Sequence, residues 1–338
     1  MASLTQTALP DAVKTMYERR LLTRAIPRLP HGKFGMIARL NKMGSYELRK
    51  YGSLAAMTTA LTEGTTPAEQ AAPSATKVTV TPSFYGAWIG YTDELDMTNF
   101  DPIVSEISGI LGEQAGVSVD TIIRDTITAG ATKDYSANQT ARGNLDSPQH
   151  DITYADFVKQ VAALEGENAM PVSGENFAVI IHPHTFATLM QDPVFVNLFE
   201  QESARGNSAI RSYRAGSLLR SDIFISSNSR KYVDLGSGGT TDVYDMLIIA
   251  REAYGYVGMA GLTPEIVDNM GPGYGNMTGA AGKRTSPVEL IMKPLGYGDD
   301  PLNQRGSVAW KATLGVVLTN ALWIRSCEHT TEIGRAHV

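Results

Sequence analysis

Residues 101–129 read DPIVSEISGILGEQAGVSVDTIIRDTITA, and this stretch limits what the chain can fold into more than any other. Asp101 is a good N-cap, and Pro102 suits the first helical position. Phe100, Ile103, Val104, Ile107, Leu111, Ala115 and Ile122 recur on one side with helical periodicity, and Gly130 is a natural stop. About 28 residues at ~1.5 Å each make a rod of roughly 40 Å, long for a globular helix. The far side carries Ser105, Gly109, Gly112 and Gly116. Interior glycines cost ~1 kcal/mol each against alanine. A face of such small residues therefore points to a closely packed neighbour, either another element or another subunit.

The rest of the chain has to surround that rod. With 338 residues it can bury a sizeable core, as two domains or one large one. A net charge of -6 argues against a dedicated nucleic-acid binder. The charge is uneven, however. Residues 14–50 hold ten Lys/Arg against Glu18 and Glu47, so this segment is +8 and the remainder is -14. A basic arm on an acidic body suggests contact with something negative, either nucleic acid or another copy's body. Cys327 is the only cysteine, so no intrachain disulfide can form. The N-terminus lacks the apolar core of a secretory signal, and no run reaches ~18 apolar residues. The expectation is a chain folded in a cytoplasm, with no membrane partner.

Pro10 to Arg24 reads as a short amphipathic helix, followed by a Gly- and Arg-rich stretch to residue 52. Residues 61–76 are an exposed turn and a polar loop. Val78 and Val80, then Tyr85, Ala87, Ile89 and Tyr91, alternate as strands of a long hairpin that cannot bury both faces alone. Thr153 starts a helix with Phe157, Val161 and Leu164 as its stripe. Strands are expected at Phe177–Ile181, Ile223–Ile225 and Asp245–Ala250, giving a compact α/β unit over 151–254. In the C-terminal third, Val308, Trp310, Ala312, Leu314, Val316 and Leu318 alternate strictly, which is one long strand with one buried face. Leu322 to Ile324 can pair back on it.

Chemistry-bearing motifs fail in turn. A phosphate loop needs G-x-x-x-x-G-K-[ST], but Arg284 follows Gly282-Lys283, and Met277 stands where the first glycine belongs. Gly273-x-Gly275 is followed by Thr278 rather than glycine at the required place. His182 and His184 lack a third ligand at recognisable spacing, and Pro183 between them suggests a turn and a capping role. Cys327 has no signature of an activated thiol. The acids Asp93, Glu94, Asp96 and Asp101 do not match a calcium loop. No catalytic residue, cofactor site or metal site is expected.

Several segments together resemble the major capsid proteins of tailed phages, specifically the N-four-type branch. They are Tyr17 to Leu22, Lys33 to Gly35, Leu61 to Pro67, Phe84 to Gly86, Tyr91 to Leu95, Ile180 to Pro183, and Asp300 to Lys311, in that order. The resemblance covers about residues 10 to 326. It implies an α+β fold shared by tailed-phage and herpesvirus shells, the Johnson fold. On that template the N-terminal arm is 1–40, the extended loop hairpin 41–99 and the spine helix 100–130. The peripheral domain combines 131–150 with 255–328, the axial domain is 151–254, and 329–338 is a tail. Glu332 to Val338 resemble a translated sequencing adapter rather than family sequence.

The resemblance also implies a function. Many copies would assemble, as hexamers and pentamers, into an icosahedral phage head around packaged double-stranded DNA. Portal and scaffolding proteins are expected partners, DNA is contacted non-specifically, and the protein resides in the virion after assembly in the bacterial host cytoplasm. Glu63, Asp93, Arg305 and Lys311 are the candidate inter-subunit charge partners, and Trp310 is expected in the peripheral core. The alternatives are an encapsulin-like compartment shell and a soluble α/β enzyme with an unrecognised site.

Overall fold

The computed structural model describes residues 30–40, 44–52, 54–58, 60–66, 69–70, 72–98, 103–197, 214–218, 220–259, 288–296 and 302–332. The arm helix at 10–24, the Asp101 cap, most of the glycine-rich stretch and residues 333–338 lie outside them. In chain order the elements are β1 (Met36–Leu40), β2 (Tyr46–Tyr51), β3 (Ala75–Val80), β4 (Ser83–Thr92), α1 (Asp93–Thr98), α2 (Ile103–Gly130) and β5 (Thr132–Tyr135). Then come α3 (Tyr154–Gly166), β6 (Phe177–Ile181), α4 (Pro183–Leu189), β7 (Arg214–Leu218), β8 (Ser221–Ile225), β9 (Lys231–Tyr232) and β10 (Val243–Ile249). The chain closes with β11 (Tyr254–Met259), β12 (Val288–Lys293), β13 (Arg305–Leu318) and β14 (Ile324–His329).

The rod is α2, 28 residues long. Leu111, Ala115, Val119, Ile123 and Ile127 are its most buried apolar side chains. They step by four residues, so the line winds slowly around the helix. Gly109, Gly112 and Gly116 are buried as well, so the small-residue side is packed rather than solvated. The helix lies against β13, where Trp310 Nε1 donates to Gln114 Oε1 at 3.0 Å. Trp310 is buried in the same core, as its place in the alternating strand predicts.

Two sheets flank this core. In the first, β13 is the central strand, antiparallel to β4, β11 and β12, and β1 runs parallel to β11. The second has the order β5-β14-β10-β6-β8-β7, with β9 against the start of β10. Its central strands are buried on both faces, which is why FAVII reads as a continuous apolar run and VYDMLII does so apart from Asp245. Ala178, Ile180, Leu247 and Ile249 join the α2 core. Phe177, Val179, Ile181, Met246 and Ile248 face the opposite core with Phe157, Val161 and Leu164 of α3. Thr153 caps α3 in a full capping box with Asp156. Thr153→Ala is expected to cost about 1 kcal/mol, read as a lower midpoint in urea unfolding.

The topology departs from the sequence reading in three places. The hairpin joins β2 to β3, from Tyr46↔Val80 to Tyr51↔Ala75, whereas β4 leaves it to pair with β13. Pro82 lies between β3 and β4, at the break where the chain changes sheets. Second, β14 does not fold back on β13. A short 3-10 turn at Ala321–Trp323 carries it into the second sheet between β10 and β5. Third, His329, Thr330 and Thr331 are buried, with Thr330 bridged to Asp151. The body therefore runs through residues the sequence reading leaves to the tail.

At the other end, His31 fixes the start of the described chain to α2. Its backbone N–H donates to Asp120 Oδ1 at 2.9 Å, and its Nδ1 meets Oδ2 at 2.8 Å. Asn228 Nδ2 also donates to Oδ2, at 2.7 Å. Tyr254 O–H donates to the His31 carbonyl. One buried carboxylate thus ties the arm's end to α2 and to the β8–β9 turn. Among the described residues, no helix is long and apolar enough to cross a membrane.

Candidate assembly surfaces

Among the described residues, two surfaces combine exposed apolar side chains with backbone left unpaired. The first is the ribbon of β2 and β3 with its 52–74 connection. Its strands hold each other, and Gly52 N–H donates to the Ser74 carbonyl at 2.7 Å, closing the base of the loop. Beyond that base Leu54, Met57 and Leu61 are exposed, Leu61 by 76%. A monomer gains nothing from apolar groups held out on a ribbon.

The second surface is β4. Among the described residues it pairs only with β13, so its other edge is open. The sequence SFYGAWIGYT has no charge and no proline, the usual guards of an open edge. Register fixes its faces. Tyr91, Ile89, Ala87 and Tyr85 lie beside Gly306, Val308, Trp310 and Ala312, on the α2 side. Gly306 is required there, because a Cβ would collide with the Tyr91 ring. Phe84 and Trp88 stand on the outer face, 50% and 71% exposed. Gly86 and Gly90 alternate with them, and Ser307 and Ala309 are among their partners on β13. The outer face is thus a run of small residues interrupted by Lys311, with two aromatic side chains on the edge strand.

The four charge candidates fall around these two surfaces. Glu63 is exposed at the ribbon's turn. Asp93 opens α1, its backbone N–H donating to the Gln304 carbonyl at 3.1 Å and its Oδ1 accepting from Glu94 N–H at 2.8 Å. Arg305 begins β13 opposite Thr92, so it lies next to Asp93 across the strand pair. Lys311 is exposed with its Nζ 4.4 Å from the Phe84 ring centre, a contact that spacing alone does not reveal.

The histidine pair has a structural use. His182 caps α4, its Nδ1 accepting from His184 N–H, and His184 Nδ1 lies 2.9 Å from the Tyr244 hydroxyl. Burial, with help from His184, Lys231 and His329, pushes His182 down to about 4, so it is neutral at pH 7. Among the described residues no group of three His, Cys, Asp or Glu is placed to hold a metal. Cys327 is buried, and burial holds its thiol well above the usual range.

Comparison with known proteins decides what these surfaces belong to. A model of the family described as phage capsid protein matches residues 75–324. The chain belongs to the phage capsid protein family. No curated protein matches it. Its fold is that of solved phage capsids. The capsid of Ralstonia phage GP4 is similar with a TM-score of 0.66 at 13% identity, covering 88% of this chain and 87% of that one. The capsid of Helicobacter pylori bacteriophage KHP30 gives 0.65 at 9%, covering 88% of each chain. The cyanophage Pam1 capsid gives 0.62 at 13%, covering 91% and 92%. As a phage capsid protein the chain is a structural subunit of a virion shell, built from many copies, rather than an enzyme. The family match favours this reading over an encapsulin-like compartment.

Proposed function

We propose that this capsid protein closes an icosahedral phage head around packaged double-stranded DNA, as hexamers and pentamers. The observation that carries the reading is the ribbon's loop, with Leu54, Met57 and Leu61 exposed beyond its closed base. In the assembled shell the ribbon lies over a neighbouring subunit and buries those side chains. Residues 1–40 act as the arm, 41–99 as the extended loop and 100–130 as the spine. The β13 sheet forms the peripheral part and the α/β unit of 151–254 the axial part. The basic arm serves an acidic neighbour or the DNA side. Scaffolding and portal proteins are the partners that set size and entry, and assembly takes place in the host cytoplasm. Size-exclusion chromatography with negative-stain microscopy tests the whole. Shells, hexamers or pentamers support it, and a monomer that stays inert with scaffold present sinks it.

The charge candidates act at the seams between copies, where complementary charge sets register and rate more than affinity. Arg305→Glu or Lys311→Glu is expected to slow assembly several-fold at low salt, with little change in subunit melting. Asp93→Lys or Glu63→Lys should restore part of the rate in the matching pair. Light-scattering assembly curves at two ionic strengths check this. Identical curves for all four single variants would remove these residues from the interface.

A further inference from the structure

We propose that Asp245 and Glu328 form a proton-held latch in the seven-stranded sheet: one proton on Asp245 keeps β10 and β14 firmly paired beside α2, and its loss loosens that seam. The two carboxyl groups are direct cross-strand partners in the antiparallel pair. Asp245 is 1% exposed and Glu328 fully buried. Two like charges opposite one another in a sheet are unfavourable even at a surface, and burial multiplies the cost.

The surrounding groups do not serve the two acids equally. Arg142 donates to both oxygens of Glu328, at 2.6 and 2.7 Å, and Lys133 of β5 reaches Oε1 at 3.6 Å. Asp245 Oδ1 accepts from the Ser326 hydroxyl of β14 at 2.8 Å. Its Oδ2 is buried without a hydrogen-bond partner. The other polar neighbours are Thr128 of α2, whose hydroxyl helps the charged form only weakly, and Tyr232 of β9, whose ring lies under Arg142. Both nearby cations thus address Glu328, and a bare carboxylate oxygen remains on Asp245. Burial first, then the charge of Glu328, pushes Asp245 up to about 7, against the pull of Ser326, Lys133 and Thr128.

The sign follows from linkage. Between the ordinary value of 3.8 and about 7, the folded chain keeps a proton that the unfolded chain has lost. Stability therefore falls as pH rises through that window and levels off above it. His329, on the same strand, works the other way. Burial holds it down to about 4, so stability is lost as pH falls from 6.5 toward that value. The wild-type curve mixes the two, and the latch is read from the difference between wild type and Asp245→Asn.

The full-length subunit is melted as wild type and Asp245→Asn from about pH 4.5 to 8.5. The two should melt together at the acid end, with the Asn variant several degrees higher by about pH 7.5 and the gap constant beyond. Amide exchange in β10 and β14, corrected for the intrinsic rate, should speed up in the wild type relative to the variant as pH rises toward about 7, with the ratio constant beyond. Infrared spectra of the wild type at about pH 6 give a readout that does not require the variant to fold, through the C=O stretch of a buried protonated carboxyl that titrates near neutrality. A gap that does not change with pH, or no such carbonyl band, overturns the latch.

Discussion

Replacing residues 53–73 with an Asn-Gly turn is expected to leave a folded subunit that forms no closed particles. The new turn suits the ribbon, because Asn-Gly closes a two-residue hairpin whose twist matches its strands. The Gly52–Ser74 contact already brings the two ends together. The pairs from Tyr46↔Val80 to Tyr51↔Ala75 survive, so β3 still leads into β4 and the body. A cut at Thr65–Ala75 would be less clean, since Ala75 is the partner of Tyr51. Among the described residues of the loop the hydrogen bonds are local ones, such as Gln70 Nε2 to the Ala55 carbonyl at 3.3 Å and a turn at Thr62–Thr65. None of these ties the loop to the core, so the melting temperature should move by only a degree or two. What the replacement removes is the exposed set of Leu54, Met57 and Leu61. A side chain of this size contributes about 1.5–3 kcal/mol when fully buried, and every subunit in a shell repeats the contact. Negative-stain counts of particles against wild type read the result. Closed shells at normal yield would show that the ribbon does not hold neighbours together.

The parts of this fold that were legible in the sequence are those fixed by local periodicity. The helix at 103–130, the capped helix after Thr153 and the alternating strand ending at Leu318 all carry their burial pattern within a single window. Pairing is different. Arg305 meets Thr92, and Thr132 meets Arg325, across more than half of the chain, and no local pattern names those partners. Hence β4 reads as the second arm of a hairpin although it belongs to the β13 sheet, and β14 reads as a return strand although it crosses to the other sheet. The turn from residue 61 was legible as exposed, but the exposed Leu54, Met57, Phe84 and Trp88, and Lys311 over Phe84, were not. Buried charge was the hardest to see. Asp245, Glu328 and Asp120 look like surface residues, because acids are seldom buried without partners, and their partners come from distant segments.

The buried acid at Glu328 gives the second large effect. Arg142→Met should destabilise the subunit by about 3–5 kcal/mol, the usual cost of stranding one member of a buried ion pair. Arg142 makes both hydrogen bonds to the carboxylate and lies over Tyr232, its Cζ 3.5 Å from the ring centre. Methionine keeps part of that packing, so the loss is mainly electrostatic. Lys133 remains, but at 3.6 Å and from a partly exposed position it offers one contact in place of two. The stranded charge then faces Asp245 directly across the strands, which raises the cost of ionising Asp245 further. Glu328→Gln alone should cost less, since the amide stays satisfiable and the cation it frees is partly solvent-exposed. The double variant should recover most of the stability lost in Arg142→Met, because no buried charge is left without its partner. Urea unfolding of the four proteins gives the cycle. A double variant no more stable than Arg142→Met would mean that Arg142 acts through the Tyr232 stack and not through Glu328.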